Sequence, residues 1–232
     1  TASKLLREAG LPMAPLRQAA TADEAVAAAD ALGYPVVLKI ASADILHKSD
    51  AGGVLLNLPD AAAVRAGFAD MLTRVRAAHP QARIAGVVVA ALAPAGVEVI
   101  LGVKRDPVFG PVVLCGLGGV FVEVLHDVAL RIAPFDEAAA LAMLKSLKGW
   151  PLLAGARGRA PADTHALAQT LSQLSRFAAT HAEDLETLDL NPVRVFAEGQ
   201  FAHGHSAHGH SAHGYSVLAL DALLVGREPP QT

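Results

Sequence analysis

Two groups of residues in this chain have the types and spacing for phosphate chemistry. The first lies in GYPVVLKIASADILHKSDAGGVLLNL, residues 33–58. Lys39 sits inside a short apolar, β-branched run, where an ammonium is costly unless an anion meets it. Thirteen residues on come Gly52 and Gly53, which let a backbone approach a ligand closely and turn its amides toward a phosphate. Between them lies His47, an imidazole that is substantially unprotonated near neutral pH and can act as a nucleophile. A strand cation, a loop imidazole and a glycine pair together suggest a nucleotide-phosphate site. Each residue also has a plain structural reading. A strand lysine is commonly an edge or snorkelling residue, and a loop histidine beside Lys48 and Asp50 is commonly a solvated one.

The second group is near the C-terminal end. Period-two alternation puts Asp189 and Asn191 on one face of the strand LETLDLNPVRVF, with Leu188 and Leu190 opposite. Asp221 falls within the otherwise apolar VLALDALL, where a carboxylate needs a partner, and magnesium, with its oxygen preference, suits it. If the two segments pair, the oxygens of Asn191 and Asp221 can share one cation. The competing reading makes Asn191–Pro192 a simple turn signal.

The elements that must position these residues are readable from periodicity and caps. Ser3–Ala9 reads as a short helix. TADE, with Thr21 and Glu24, is a capping box for an alanine-rich helix ending at Gly33. Asp60 caps a helix with Val64, Phe68, Leu72 and Val75 on one side. Ile84–Leu92 and VEVILGV are strands, followed by strand, glycine turn and strand through Pro134. Asp136 caps a helix with Leu141, Leu144 and Leu147, and a helix from Asp163 aligns Leu167, Leu171, Leu174 and Ala178. GWPLLAGARGRAPAD reads as a loop, in which Arg157 and Arg159 are either anion contacts or solvated charges. YSVLALDALLV is the expected hairpin partner of LETLDLNPVRVF. Between them, residues 202–214 (AHGHSAHGHSAHG) form a five-residue repeat with five histidines. Such a composition builds no core and predicts a mobile loop. It is able to hold zinc or nickel, although an insertion binding metal incidentally is the favoured reading.

Composition sets the outer bounds. Of 232 residues, 53% are hydrophobic but only 4% aromatic, so the core is built from Ala, Leu and Val, as in an α/β protein. A formal net charge of −3 argues against nucleic acid or an anionic membrane as the main partner. No apolar run reaches transmembrane length, and no signal-peptide pattern opens the chain. A single cysteine, Cys115, excludes an internal disulfide framework and fits a reducing cytoplasm. The chain opens without methionine and reads as a fragment or processed piece.

The motifs GYPVVLK, HKSDAGGV, GVKRDPVFGP, GLGGVFVEV and LDLNP closely resemble the ATP-grasp domain of ADP-forming (NDP-forming) acyl-CoA synthetases, relatives of succinyl-CoA synthetase β subunits. The resemblance runs from Ser3 to about Leu224, apart from the histidine-rich insertion. It implies an α/β (α+β) fold with two ATP-grasp lobes, residues 1–101 and 102–232, mixed sheets and an interlobe nucleotide cleft. His47 matches the family's phosphoryl carrier. Ala90, Ala91, Leu92 and Ala93 match the backbone that holds adenine, and Glu98 an acid near ribose or adenine, although a strand-edge salt bridge is an equal reading for Glu98. Asn191 and Asp221 match the magnesium ligands, and Asp189 an acidic residue near the metal. Gly116, Gly118 and Gly119, with Glu123, match the phosphoryl-transfer end.

The implied activity uses ATP/ADP and Mg2+ in the nucleotide half of acyl-CoA + ADP + phosphate ⇌ carboxylic acid + CoA + ATP. A CoA-binding α subunit, or fused N-terminal domains, would supply the rest and take the small acyl substrate, in a hetero- or homo-oligomer. One alternative is a non-catalytic ATP-grasp module of a fusion such as a protein acetyltransferase. Another, a generic ATP-grasp carboxylate ligase, needs no histidine in the HKSD loop.

Overall fold

The computed structural model describes residues 2–45, 48–119, 126–200 and 215–227, and leaves aside the side chain of Arg157. His47, Glu123 and the repeat at 202–214 therefore lie outside the described residues. Among the described residues the chain divides into two compact units, Ala14–Ala93 and a larger one holding residues 2–13 and those from Pro94 onward. The boundary expected after Leu101 falls instead inside a strand, and the division is at Ala93/Pro94. The first helix, α1 (Ala2–Glu8), goes with the larger unit because the segment after it is tied there: Ala219 N–H donates to Pro12 O at 2.8 Å, beside a Met13–Ala219 bridge.

The smaller unit is a four-stranded sheet in the order β1-β4-β2-β3: β1 (Leu16–Ala19), β2 (Val36–Ser42), β3 (Val54–Leu58) and β4 (Ile84–Ala91). Helices α2 (Ala22–Leu32) and α3 (Ala61–Ala78) cover one face. Their starts follow the caps read from sequence. Glu24 N–H donates to Thr21 Oγ1, while the Glu24 carboxylate accepts from Ala20, and Ala63 N–H donates to Asp60 Oδ1 at 2.8 Å. Leu38 and Ile40 point into the core with Phe68, Met71, Val87 and Val89. Alternation therefore turns Lys39 to the other face. Strands β1 and β3 give little sequence signal, one being short and polar, the other following the glycine pair.

The larger unit is a six-stranded sheet in the order β10-β8-β5-β6-β7, with β9 also paired to β8. Its strands are β5 (Val97–Asp106), β6 (Gly110–Leu117), β7 (Val128–Ile132), β8 (Leu185–Val195), β9 (Val217–Ala219) and β10 (Leu223–Gly226). Helices α4 (Glu137–Lys145) and α6 (Thr164–Thr180), capped by Asp136 and Asp163, pack Leu144, Leu167, Leu171 and Leu174 against Leu101, Val113 and Cys115. The stretch read as a loop after Lys148 holds a one-turn helix, α5 (Trp150–Leu153), and a 3-10 turn, Ala156–Gly158. Arg159 is exposed. The sheets, expected to be mixed, are antiparallel throughout their strand pairings. Among the described residues, no helix is long and apolar enough to cross a membrane.

Candidate functional site

Lys39 is not an edge lysine. Its strand β2 is flanked by β4 and β3, and Lys39 stands opposite Val88 on one side and Val54 on the other. Gln18 faces Val88 in turn, so Gln18, Val88, Lys39 and Val54 form one row across the open face of the sheet. A concavity of about 470 Å³ borders this row, with Ser42, Lys48 and Arg83 among its walls.

The histidine segment leaves β2 at Ser42, and its root is clamped. The Asp44 carboxylate accepts from the Arg83 backbone N–H (2.8 Å), from Nε (3.0 Å) and from Nη2 (2.8 Å). These side-chain and backbone bonds pull the Asp44 carboxyl down to about 2 and raise the Arg83 guanidinium above its usual value. Neither residue stood out in the sequence. They are 39 positions apart, and the strand pairing of Ser42 with Ile84 is what brings them together.

Gly52 and Gly53 play a different part from the one expected. Gly52 N–H donates to Ser49 O (3.0 Å) and Gly53 N–H to Lys48 O (2.7 Å), while Gly53 O accepts from Ile40 N–H (2.7 Å). The two amides expected to face a phosphate are thus used to close the turn at the far end of the histidine segment. Glycine is required for this. Gly52 has φ +66°, and a Cβ on Gly53 would stand 2.6 Å from Ile40 Cγ2.

Ala90 and Ala91 end β4, and Leu92 N–H donates to Pro35 O at 3.0 Å. Antiparallel alternation then turns the N–H and C=O of Ala91 to the opposite edge of β4. Ala93 is the last described residue of the smaller unit.

In the larger unit, Asn191 faces Asp221. Strand β8 pairs Val193 with Ala219 on β9 and Asp189 with Leu223 on β10, and Leu220 N–H donates to Pro192 O at 2.9 Å. One register runs through both pairings and sets Asn191 directly across from Asp221. The expected single strand VLALDALL is broken there, Leu220–Ala222 lying between β9 and β10. The Asp221 carboxylate also accepts from Ala222 N–H at 2.9 Å. On the other side of β8 the pairing with β5 skips, from Val99–Val193 to Leu101–Leu190. Asn191 and Pro192 thus share the space opposite Ile100, a β-bulge. A bulge accommodates proline, which has no ladder donor, and re-aims its neighbours. Hence Leu190 and Val193 are both buried, while Asn191 is exposed. Asn191–Pro192 lies inside a strand, so it is no turn.

Asp189 lies two residues from Asn191, partly buried, with Leu188 and Leu190 turned into the core. Among the described residues no three His, Cys, Asp or Glu side chains form a ready-made metal cage. The donor set of an amide oxygen and carboxylates fits Mg2+, which takes few protein ligands and keeps several waters.

Glu98 stands opposite Arg194 in the β5–β8 register, and Arg194 Nη2 donates to Glu98 Oε1 at 2.7 Å. The salt-bridge reading of Glu98 is therefore realised, with a partner the sequence did not single out. Gly118 packs tightly over this acid, since a Cβ there would meet Glu98 Cβ at 3.0 Å, and Gly118 N–H donates to Glu98 O at 2.7 Å.

A family model described as ATP-grasp domain matches residues 1–205. The chain belongs to the ATP-grasp family. This ATP-grasp chain is 40% identical over 197 residues to the β subunit of acetate–CoA ligase [ADP-forming] I of Pyrococcus furiosus, covering 85% of itself and 84% of that subunit. It is 46% identical over 195 residues to the single-chain acetate–CoA ligase [ADP-forming] I of Archaeoglobus fulgidus, of which it spans 28%. In structure it matches the dinucleotide-forming acetyl-coenzyme A synthetase 1 of Ca. Korarchaeum cryptofilum, solved with coenzyme A and Ca-AMPCP. The TM-score is 0.86 at 38% identity, covering 97% of this chain and 91% of the other. A second structure of that enzyme holds coenzyme A and Mg-AMPPCP, with a phosphohistidine segment pointing towards the nucleotide-binding site. Its TM-score is 0.76 at 35% identity, over 97% and 90% of the two chains. The expected ATP-grasp fold is thus confirmed. The relatives named are ligases, which does not favour the alternative of a non-catalytic module.

Proposed function

We propose that this chain is the nucleotide-binding, phosphoryl-transferring part of an ADP-forming acyl-CoA synthetase. It serves the reaction acyl-CoA + ADP + phosphate ⇌ carboxylic acid + CoA + ATP. The observation that carries the reading is Asn191 set across from Asp221 at a bulge on an open sheet face, in a chain whose relatives are ADP-forming ligases.

Asn191 and Asp221 would hold Mg2+, with Asp189 beside them, and a bound ion would supply charge screening of the nucleotide's phosphate oxygens, the main requirement of phosphoryl transfer. Lys39 adds a fixed cation on the open face of its own sheet. Because Leu92 N–H is already taken by Pro35, Ala91 C=O and Ala93 N–H are the backbone groups that meet adenine. His47 carries the phosphoryl group. An unprotonated ring nitrogen attacks the γ-phosphorus, an N–P bond forms, and the bond to the β-phosphate oxygen breaks as ADP leaves. Run in reverse, ADP takes the phosphoryl group and ATP forms. The acyl phosphate and thioester steps belong to a CoA-binding part, joined to this chain or carried on an α subunit.

Incubation with γ-labelled ATP and Mg2+ tests this. Acid-labile, base-stable label is expected on the wild-type chain and none on His47→Ala. Nucleotide binding without label, in the complete enzyme, would reject the assignment.

A further inference from the structure

We propose that the β5–β6 hairpin tip and the open face of β7 form the surface on which the CoA-binding part of the enzyme docks. This rests on the ATP-grasp ligase reading above. Five large apolar residues are exposed on these two elements. Val108 and Phe109 at the tip are 80% and 61% exposed, and Val128, Leu130 and Ile132 on β7 are 39%, 63% and 49% exposed. Exposed apolar side chains gathered in one place mark contact surfaces, whereas single ones need no account.

The tip is rigid. Asp106 Oδ1 accepts from Val108 N–H (2.8 Å) and Phe109 N–H (2.9 Å), and these bonds lower the Asp106 pKa. Pro107 fixes the turn and Gly110 completes it at φ +74°. Two apolar side chains held in water by such a turn are preorganised anchors, which lose little freedom on binding. The β7 residues continue the surface. Ile132 pairs with Val112 and Leu130 with Leu114, on the face turned away from buried Val113 and Cys115.

The occupant follows from two facts. The chain matches 28% of a single-chain ligase and 84% of a separate β subunit. The same unit therefore works with its remaining machinery attached or merely associated, and association requires a contact surface. The surface also leads to the phosphoryl-transfer residues, since one row of the sheet runs Leu130, Leu114, Gly102, Asp189. A part seated on β7 lies along the same row of the sheet as Asp189, with β6 and β5 between it and the metal-binding strand.

Hydroxyl-radical footprinting of the complete enzyme and of this chain alone, with Phe109→Ser and Leu130→Ser made separately, tests the surface. Expected are several-fold protection of Phe109 and Leu130 in the complete enzyme, and at least about tenfold weaker CoA-dependent turnover in each variant, with ATP-dependent labelling of the chain retained. Equal reactivity in both samples would overturn the proposal, as would protection that follows self-association of this chain. Loss of ATP labelling in the variants would also overturn it, because the surface would then serve the nucleotide. Failure of the wild-type chain to take label at all would count against the ligase reading instead, so the two failures are distinct.

Discussion

Asn191 and Asp221 face one another across β8 and the gap between β9 and β10, each at a break in regular pairing: a bulge on one side, an interruption on the other. Two adjacent irregularities in one sheet turn two oxygen-bearing side chains out of a ladder that otherwise buries leucine and valine.

Removing that oxygen pair should slow transfer sharply without unfolding the chain. Asp221→Asn and Asn191→Ala are expected to slow ATP-dependent phosphorylation by about a hundredfold to a thousandfold and to raise the Mg2+ concentration needed. Circular dichroism and melting should change little. Wild-type rates in Asp221→Asn would remove this residue from the metal site.

The Asp44–Arg83 clamp yields a pH prediction. The folded carboxyl is held near 2, below the unfolded value of about 3.9. Its stabilising contribution is therefore complete above about pH 4 and lost as the pH falls toward 2. Carbon-detected NMR should show Asp44 titrating near 2 in the wild type and higher in Arg83→Gln, where the side-chain bonds are lost and the backbone N–H bond remains. A wild-type midpoint near 4 would mean the clamp does not form in solution. Because it fixes the root of the histidine segment, Arg83→Gln should also slow His47 phosphorylation, by about tenfold to a hundredfold.

Gly53→Ala tests the turn at the other end of the segment. The new methyl would meet Ile40 Cγ2 at 2.6 Å and Lys48 O at 3.0 Å, an overpacking that costs about 1–3 kcal/mol. A lowered midpoint in urea, with unchanged slope, is the expected result. Gly10→Ala serves as the contrast, because there the strain is backbone alone, with nothing within 4 Å.

How far the sequence reveals this arrangement depends on the range of the interaction. Local rules suffice for the caps at Thr21, Asp60, Asp136 and Asp163, and for the alternation that turns Lys39 away from Leu38 and Ile40 and Asp189 away from Leu188 and Leu190. Register is another matter. The bulge at Asn191–Pro192 is defined by what lies opposite, Ile100, and the Asp44–Arg83 and Glu98–Arg194 pairs join residues 39 and 96 positions apart. Glycine's role was ambiguous for the same reason. GG permits a phosphate cradle or a tight turn, and only the partners of its amides, Ser49 and Lys48, decide for the turn.

The histidine-rich repeat should be dispensable. Its flanks are already joined, since Phe196 N–H donates to Ser216 O at 2.8 Å and Val195 pairs with Val217. Excising residues 202–214 and closing the gap with a short Gly-Ser link should leave the melting temperature and ATP labelling unchanged while removing zinc and nickel binding. A loss of labelling would give the repeat a part in the chemistry.

The most direct test of the account is a chase. The chain is phosphorylated with γ-labelled ATP and Mg2+, freed of nucleotide, and mixed with ADP and Mg2+. Label mapped to His47 by mass spectrometry and returned as labelled ATP is the predicted result. Label on another residue, or label on His47 that ADP cannot recover, would contradict it.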